Sequence, residues 1–187
     1  PLETEFAPTG FEGAEGDADE VRAHLEHGLA GAIAPKREAV EVGDLVSTTL
    51  RRAAPLVEGH TVSSAIPPGL PALQLDFVLA EQVLFNLLDN AAKYAPPETT
   101  ISIRGLRDRG TIVLQVIDEG SGIPPAELES VFDKFYRAEK GDHVRPGTGL
   151  GLAIVKHISE RHQGQLDIES ELGKGTKVSV TFPLAST

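Results

Sequence analysis

The stretch Thr111-Ile112-Val113-Leu114-Gln115-Val116-Ile117-Asp118-Glu119-Gly120-Ser121-Gly122-Ile123-Pro124 runs from a hydrophobic, β-branched pattern into an acid and two glycines. Thr111 to Ile117 therefore predicts a strand, and Thr100 to Leu106 predicts a second. The polar Arg107-Asp108-Arg109-Gly110 between them predicts an antiparallel hairpin with a loop. Asp118 stands where the second strand leaves the core, and a carboxylate is costly to desolvate there without a partner. A buried base amine is such a partner, because an ionised carboxylate only accepts hydrogen bonds. Glycines beside it let the chain pass close to a ring. Taken alone, the segment reads first as a strand that ends in a glycine turn.

Two other segments change that weighting. Gly147-Thr148-Gly149-Leu150-Gly151-Leu152 comes directly after a polar stretch and opens a helix predicted over Thr148 to His162, which Gly164 ends. Free N–H groups at a helix start aim at phosphates. The cluster is not the dinucleotide fingerprint, since Leu152 stands where a third glycine is needed, and neither it nor Gly173-Lys174-Gly175-Thr176 is a P-loop. A long helix is predicted from Asp76, its N-cap, to Ala95, where Pro96-Pro97 stops it. Asn86 and Asn90 lie four apart on it, and Lys93 three further on, so they share one face. In isolation this is a solvated stripe, although asparagine is a poor helix former and its amide oxygen can serve a magnesium ion. Base, phosphate and metal functions together describe an ATP site.

The remaining pattern supplies the frame. Glu38 to Val42 predicts a brief strand, Asp44 to Glu58 a helix, and His60 to Ile66 another strand before the turn at Pro67-Pro68-Gly69. Pro124-Pro125 starts a short helix, Arg137 to Pro146 is polar and aperiodic and is expected to be a mobile loop, and Gln165 to Ser170 and Thr176 to Pro183 are the last two strands. This order gives an α+β, two-layer architecture: a mixed, mostly antiparallel sheet with helices covering one face. Residues 1–16 read as a flexible tail, followed from Asp17 by a short amphipathic helix with Val21, Leu25, Leu29 and Ala32. The expected division is 1–33 as tail or linker and 34–187 as the folded domain.

The chain of 187 residues has room for one ordinary domain, commonly about 100–150 residues, plus an appendage. With no cysteine, it has no disulfide framework, thiolate metal site or cysteine nucleophile. No run of about 18 apolar residues occurs. The net charge is −11, and the seven acids and absent bases of residues 1–20 leave −4 for the rest. Such a chain is expected to bind neither nucleic acid nor an anionic membrane directly. The six histidines lack metal-ligand spacing, and His60, His157 and His162 read as surface or packing residues. The chain starts at Pro1, has no Met and shows no signal peptide, so it is expected to be a fragment.

Asn86-Leu87-Leu88-Asp89-Asn90-Ala91-Ala92-Lys93-Tyr94, Asp118 to Pro124, Val131-Phe132-Asp133-Lys134-Phe135-Tyr136-Arg137 and Gly147 to Ile154 together resemble the N, G1, F and G2 boxes of two-component sensor histidine kinases. The resemblance runs from about Ala34 to Leu184. Leu73 to Asp76, Gln82 to Asn86, Arg52 to Leu56 and Phe132 to Phe135 further resemble the potassium-responsive KdpD type. The resemblance implies a Bergerat-type sandwich that binds ATP and Mg²⁺. It implies Asn90 as metal ligand with Asn86 alongside, Lys93 and Arg137 near phosphate, Tyr94 near base or ribose, and Asp118 on the adenine amine. Gly120 and Gly122 would make room for the ring, and Gly147, Gly149 and Gly151 would hinge a lid and present backbone donors. Ile123, Phe135, Thr148, Leu150, Leu152 and Thr176 complete the implied nucleotide set.

In related ATPases of the Hsp90 and gyrase types, the position of Asn86 is a Glu that activates water. An amide cannot act as a general base, so the implied reaction is phosphotransfer to a nucleophile with its own base. That nucleophile would be a histidine on a dimerisation hairpin, for relay to a response regulator. His24 and His27 lack the flanking acid and Thr-Pro of such an acceptor, so the hairpin is expected to belong to a membrane-anchored, homodimeric parent and to be missing or only partly present here, residues 1–33 being its remnant or a linker to it, with this cytoplasmic fragment monomeric. Two rivals stay open: a serine kinase of the anti-sigma type, whose relatives keep the Glu, and a regulatory module that binds nucleotide without transfer.

Overall fold

Ile101 and Ile103, then Ile112, Leu114 and Val116, are buried at alternate positions, as a hairpin with one face on a core requires. A computed structural model describes residues 34–133, Tyr136 and residues 149–184. Its elements in chain order are β1 (Glu38–Val40), α1 (Val42–Ala53), β2 (Thr61–Ala65), β3 (Leu73–Leu75), α2 (Phe77–Tyr94), β4 (Thr100–Asp108) and β5 (Thr111–Asp118). Two single 3-10 turns, Pro125–Glu127 and Ser130–Phe132, lead on towards α3 (Gly151–Arg161), β6 (Gln165–Glu171) and β7 (Gly175–Pro183).

Five strands form the main sheet in the order β2-β4-β5-β7-β6. Only β2 and β4 pair in parallel, and the other three pairings are antiparallel. The expected mixed, mostly antiparallel sheet is therefore present. The hairpin is tighter than the polar residues suggested: Arg107 and Asp108 pair with Ile112 and Thr111, leaving Arg109, at φ +50°, and Gly110 as the connection. The register sets Asp118, the last residue of β5, opposite Thr176 of β7.

Asp76 caps α2 as its sequence position predicts, with Oδ1 accepting the Leu79 N–H at 3.2 Å and Oδ2 the Lys36 N–H at 2.9 Å. At the other end the Ala95 N–H donates to the Ala91 carbonyl and Pro96 stops the helix. Leu84 and Leu88 of α2, Leu45 and Val46 of α1, and Val155 and Ile158 of α3 share one core with Ile101, Ile103, Ile112, Leu114, Val180 and Phe182 of the sheet. Fully burying each such side chain contributes about 1.5–3 kcal/mol. The opposite sheet face is polar, with Gln115 donating to Ser179 Oγ at 3.2 Å and a Lys177–Glu169 ion pair at 2.6 Å.

Two expectations need correction. The helix expected over Asp44 to Glu58 starts at Val42 and ends at Ala53, because Pro55 has no N–H to donate to the Arg51 carbonyl, although Ala54 still has helical dihedrals. Leu73–Leu75, not foreseen as a strand, pairs antiparallel with β1 through Glu38↔Leu75 and Val40↔Leu73. Three residues give no measurable period, although Leu73 and Leu75 are both buried.

Candidate functional site

The face of α2 that carries the asparagines is built as a ladder. Gln82, Asn86 and Asn90 follow at four-residue steps, and Gln82 Nε2 donates to Asn86 Oδ1 at 3.0 Å. Asn86 is 9% exposed, and its Nδ2 is buried with no hydrogen-bond partner. A buried donor left unpaired costs about 1–3 kcal/mol, so native folds keep few of them. Asn90, half-buried, lies against the start of α3: a Cβ added to Gly151 would stand 3.5 Å from Asn90 Oδ1. Packing thus brings the asparagine face and the later glycine cluster into contact. Lys93 makes an ion pair with Asp89 one helical turn away, at 2.5 Å. Tyr94 is 42% exposed, and its carbonyl faces Gly120.

Asp118 sits at the C-terminal end of the central strand β5 beside these groups, with Oδ1 accepting the Gly120 N–H at 2.8 Å. Burial pushes its carboxyl above the usual aspartate range, and the backbone N–H groups of Gly120 and Thr176 pull it part of the way back. The loop after it rests on the β6–β7 turn. Gly173 N–H donates to the Ser121 carbonyl at 2.8 Å, and Ile123 N–H donates to Ser170 Oγ at 2.8 Å. Ser170 in turn reaches the Gly175 carbonyl and the Thr176 hydroxyl, each at 2.9 Å.

This support explains two glycines directly. Gly122, at φ +73°, has no room for a side chain because a Cβ would meet the Glu171 carbonyl oxygen at 2.2 Å. Gly175, at φ +115°, would meet the Asp118 carbonyl oxygen at 2.0 Å. The protein's own backbone therefore demands glycine at both positions.

Ser170 and His162 escaped the sequence reading as organisers of the site. His162, read as a packing residue, is buried and joins two helices: Nε2 accepts the Asp76 N–H at 3.0 Å and Nδ1 lies 2.8 Å from the Ile158 carbonyl. With Nε2 accepting, Nδ1 carries the proton and donates. Phe182 packs edge-on against the ring at 6.3 Å between centroids. The helices α2 and α3 are thus tied by Asp76–His162 at one end and meet at Asn90–Gly151 near the other. A lone histidine near a helix end gives no signal for this in sequence.

Leu150 is buried and Leu152 packs against the core, while Gly149 takes φ +70°. Phe135, Arg137, Gly147, Thr148 and the loop expected over Arg137 to Pro146 lie outside the described residues. Among the described residues no cluster of His, Cys, Asp or Glu could hold a metal ion by itself, and no helix is long and apolar enough to cross a membrane.

Comparison with known proteins places this geometry in a wider group. The family model described as histidine kinase-, DNA gyrase B- and HSP90-like ATPase matches residues 76–186. The sensor protein KdpD of Clostridium acetobutylicum is 34% identical over 149 residues, covering 79% of this chain and 17% of its own length. The sensor protein RprX of Bacteroides fragilis is 36% identical over 154 residues, covering 80% of this chain and 30% of its own. The chain thus spans less than a third of either relative. Among solved structures, the mycobacterial sensor histidine kinase MprB superposes with a TM-score of 0.69 at 30% identity, covering 79% of this chain and 97% of that one. Full-length ShkA in complex with AMPPNP shares the fold, with a TM-score of 0.78 at 24% identity, over 91% of this chain and 36% of that one.

Proposed function

This chain belongs to the histidine kinase-, DNA gyrase B- and HSP90-like ATPase family, as a catalytic domain of the sensor histidine kinase kind, and from that premise we propose that it binds Mg-ATP between α2, the Asp118 loop and the start of α3. It passes the γ-phosphate to a histidine on an acceptor hairpin of the longer protein, for relay to a response regulator. The observation that carries this reading is the meeting of Asn90 with Gly151, which sets an amide oxygen beside the glycine-bearing helix start.

The residues present fit both ligands. A hard cation takes oxygen donors, and Asn90 Oδ1 is one, with nucleotide phosphates and water supplying the others. Asp118 keeps acceptor capacity beyond its two backbone bonds, which suits the exocyclic amine of adenine. Magnesium, when bound, offsets the charge of the phosphates. Asn90 is the residue to hold it, Lys93 and Arg137 approach phosphate, and Tyr94 flanks base or ribose. Gly120, Ile123, Phe135, Thr148, Leu150, Leu152 and Thr176 line the nucleotide. Asn86 offers an amide where water activation would need a carboxylate, so the site favours transfer over hydrolysis. Residues 1–33 serve as linker from the acceptor hairpin to the domain beginning at Ala34, and the longer protein is membrane-anchored and homodimeric with this domain in the cytoplasm.

The test is incubation of the chain with γ-labelled ATP, with and without the purified acceptor hairpin of its own longer protein. The expected product is acid-labile, base-stable phosphohistidine on the hairpin alone. Label on His24 or His27 without the hairpin, or on a serine, would overturn the assignment.

A further inference from the structure

Gln82, at the outer end of the α2 ladder, and Arg52 behind it are assigned no contact with the ligands above, yet they decide which atom Asn86 can offer to them. Arg52, on α1, reaches α2 in three ways: Nη1 lies 3.3 Å from Glu81 Oε2, Nη2 lies 3.4 Å from Gln82 Oε1, and the guanidinium stacks 4.1 Å above the Phe85 ring. A guanidinium has only donors. The Gln82 amide must therefore turn its oxygen to Arg52, which leaves its nitrogen for the next residue along the face. That nitrogen donates to Asn86 Oδ1 at 3.0 Å. Asn86 in turn has its oxygen turned to Gln82 and its Nδ2 turned away, and Nδ2 is a buried group without a hydrogen-bond partner. The polarity of both amides is thus fixed from Arg52 inward.

We infer that Gln82, oriented by Arg52, is a positioning residue that makes Asn86 a hydrogen-bond donor to an oxygen of the bound nucleotide or of its metal-bound water, and not an oxygen ligand of the metal. This rests on the nucleotide-binding reading above. It also separates the two asparagines: Asn90 serves the cation with oxygen, and Asn86 serves an anion or water with nitrogen. A family-style expectation of Asn86 alongside the metal is thereby narrowed to one atom and one role.

Gln82→Glu is the decisive change, since it keeps size and the contact to Arg52 but can only accept. The Asn86 amide then turns round to donate to the introduced carboxylate and presents Oδ1 to the site. Calorimetry of the 187-residue chain should show Mg-ATP affinity falling about 3- to 10-fold, the range of one neutral hydrogen bond. The melting temperature should stay within about 2 °C of the parent, as a substitution that alters one bond at the helix surface would give. In the parent, the Asn86 side-chain NH₂ resonance should shift on saturation with Mg-ATP, and in Gln82→Glu that response should vanish. Arg52→Lys, which retains a donor, should bind like the parent, whereas Arg52→Ala should move in the direction of Gln82→Glu. Unchanged affinity together with an unchanged Asn86 NH₂ response in Gln82→Glu would overturn the inference. So would an affinity loss that merely tracks a large fall in melting temperature. If the parent itself gives no heat with Mg-ATP, the nucleotide reading has failed and the inference falls with it.

Discussion

Replacing Asp118 by Asn removes a charge without changing the shape of the side chain, and the structure sets opposite effects on binding and on folding. In the native chain the carboxylate accepts the Gly120 N–H at 2.8 Å and the Thr176 N–H, and burial outweighs both bonds in setting its protonation. A hydrogen bond to a charged acceptor contributes about 1.5–3 kcal/mol, so losing the one to an adenine amine weakens ATP binding roughly 10- to 150-fold. Folding moves the other way. The carboxyl is raised above its ordinary 3.8, so the native state holds its proton more tightly than the unfolded chain does. That contribution to stability is fully present below the unfolded value and is lost as pH rises through the higher native one. The stability of the parent minus that of Asp118→Asn should therefore decline as pH rises through and above the ordinary carboxylate range. Calorimetric titration at neutral pH, paired with denaturant melts across that range, reads both effects. Unchanged ATP affinity would refute the role in base recognition, and a stability difference that grows with pH would refute the dominance of desolvation.

Asn90→Ala should abolish most of the gain in ATP affinity on adding Mg²⁺, and a gain equal to the parent's in a titration with and without the cation would remove Asn90 from the metal site. Gly122→Ala forces a Cβ to 2.2 Å from the Glu171 carbonyl oxygen at φ +73°, so it should cost about 2–3 kcal/mol and lower the melting temperature by about 4–12 °C. A melt within a degree of the parent would show that the loop does not rest on the β6–β7 turn. His162→Phe keeps an aromatic ring beside Phe182 but drops both hydrogen bonds, with an expected loss of about 1–3 kcal/mol in chemical denaturation. Native stability in that variant would show that the Asp76–His162 link is idle.

Much of this layout was readable from residues because local chemistry and tertiary structure agree. Asp76 and Pro96 bound α2 where capping rules put them, and the alternation of Ile101 to Ile117 produced the central hairpin. Asp118 and Thr176 could be named singly, but their pairing across β5 and β7 is a matter of register, which one strand's sequence cannot state. β3 was too short for periodicity, and α1 ended early because Pro55 outweighed an apolar pattern that continued to Leu56. Gly122 looked like a residue that yields space to a ligand, and Gly175 carried no such reading. In the fold their space is taken by Glu171 and Asp118 backbone, an approach between segments some fifty residues apart that no single-sequence rule reports. His162 and Ser170 act through one or two hydrogen bonds to distant chain, so composition and spacing carried no trace of them.

The central claim is that the Asp118 carboxylate at the end of β5, the α2 asparagines and the start of α3 together make an adenine nucleotide site. Its most direct test is calorimetric titration of the chain with ATP and with GTP, each with and without Mg²⁺. The account predicts binding of ATP that Mg²⁺ strengthens, and binding of GTP weakened by at least about tenfold, because guanine sets a carbonyl oxygen against the Asp118 carboxylate where adenine sets an amine. Equal affinity for the two nucleotides, or no binding of either, would contradict it.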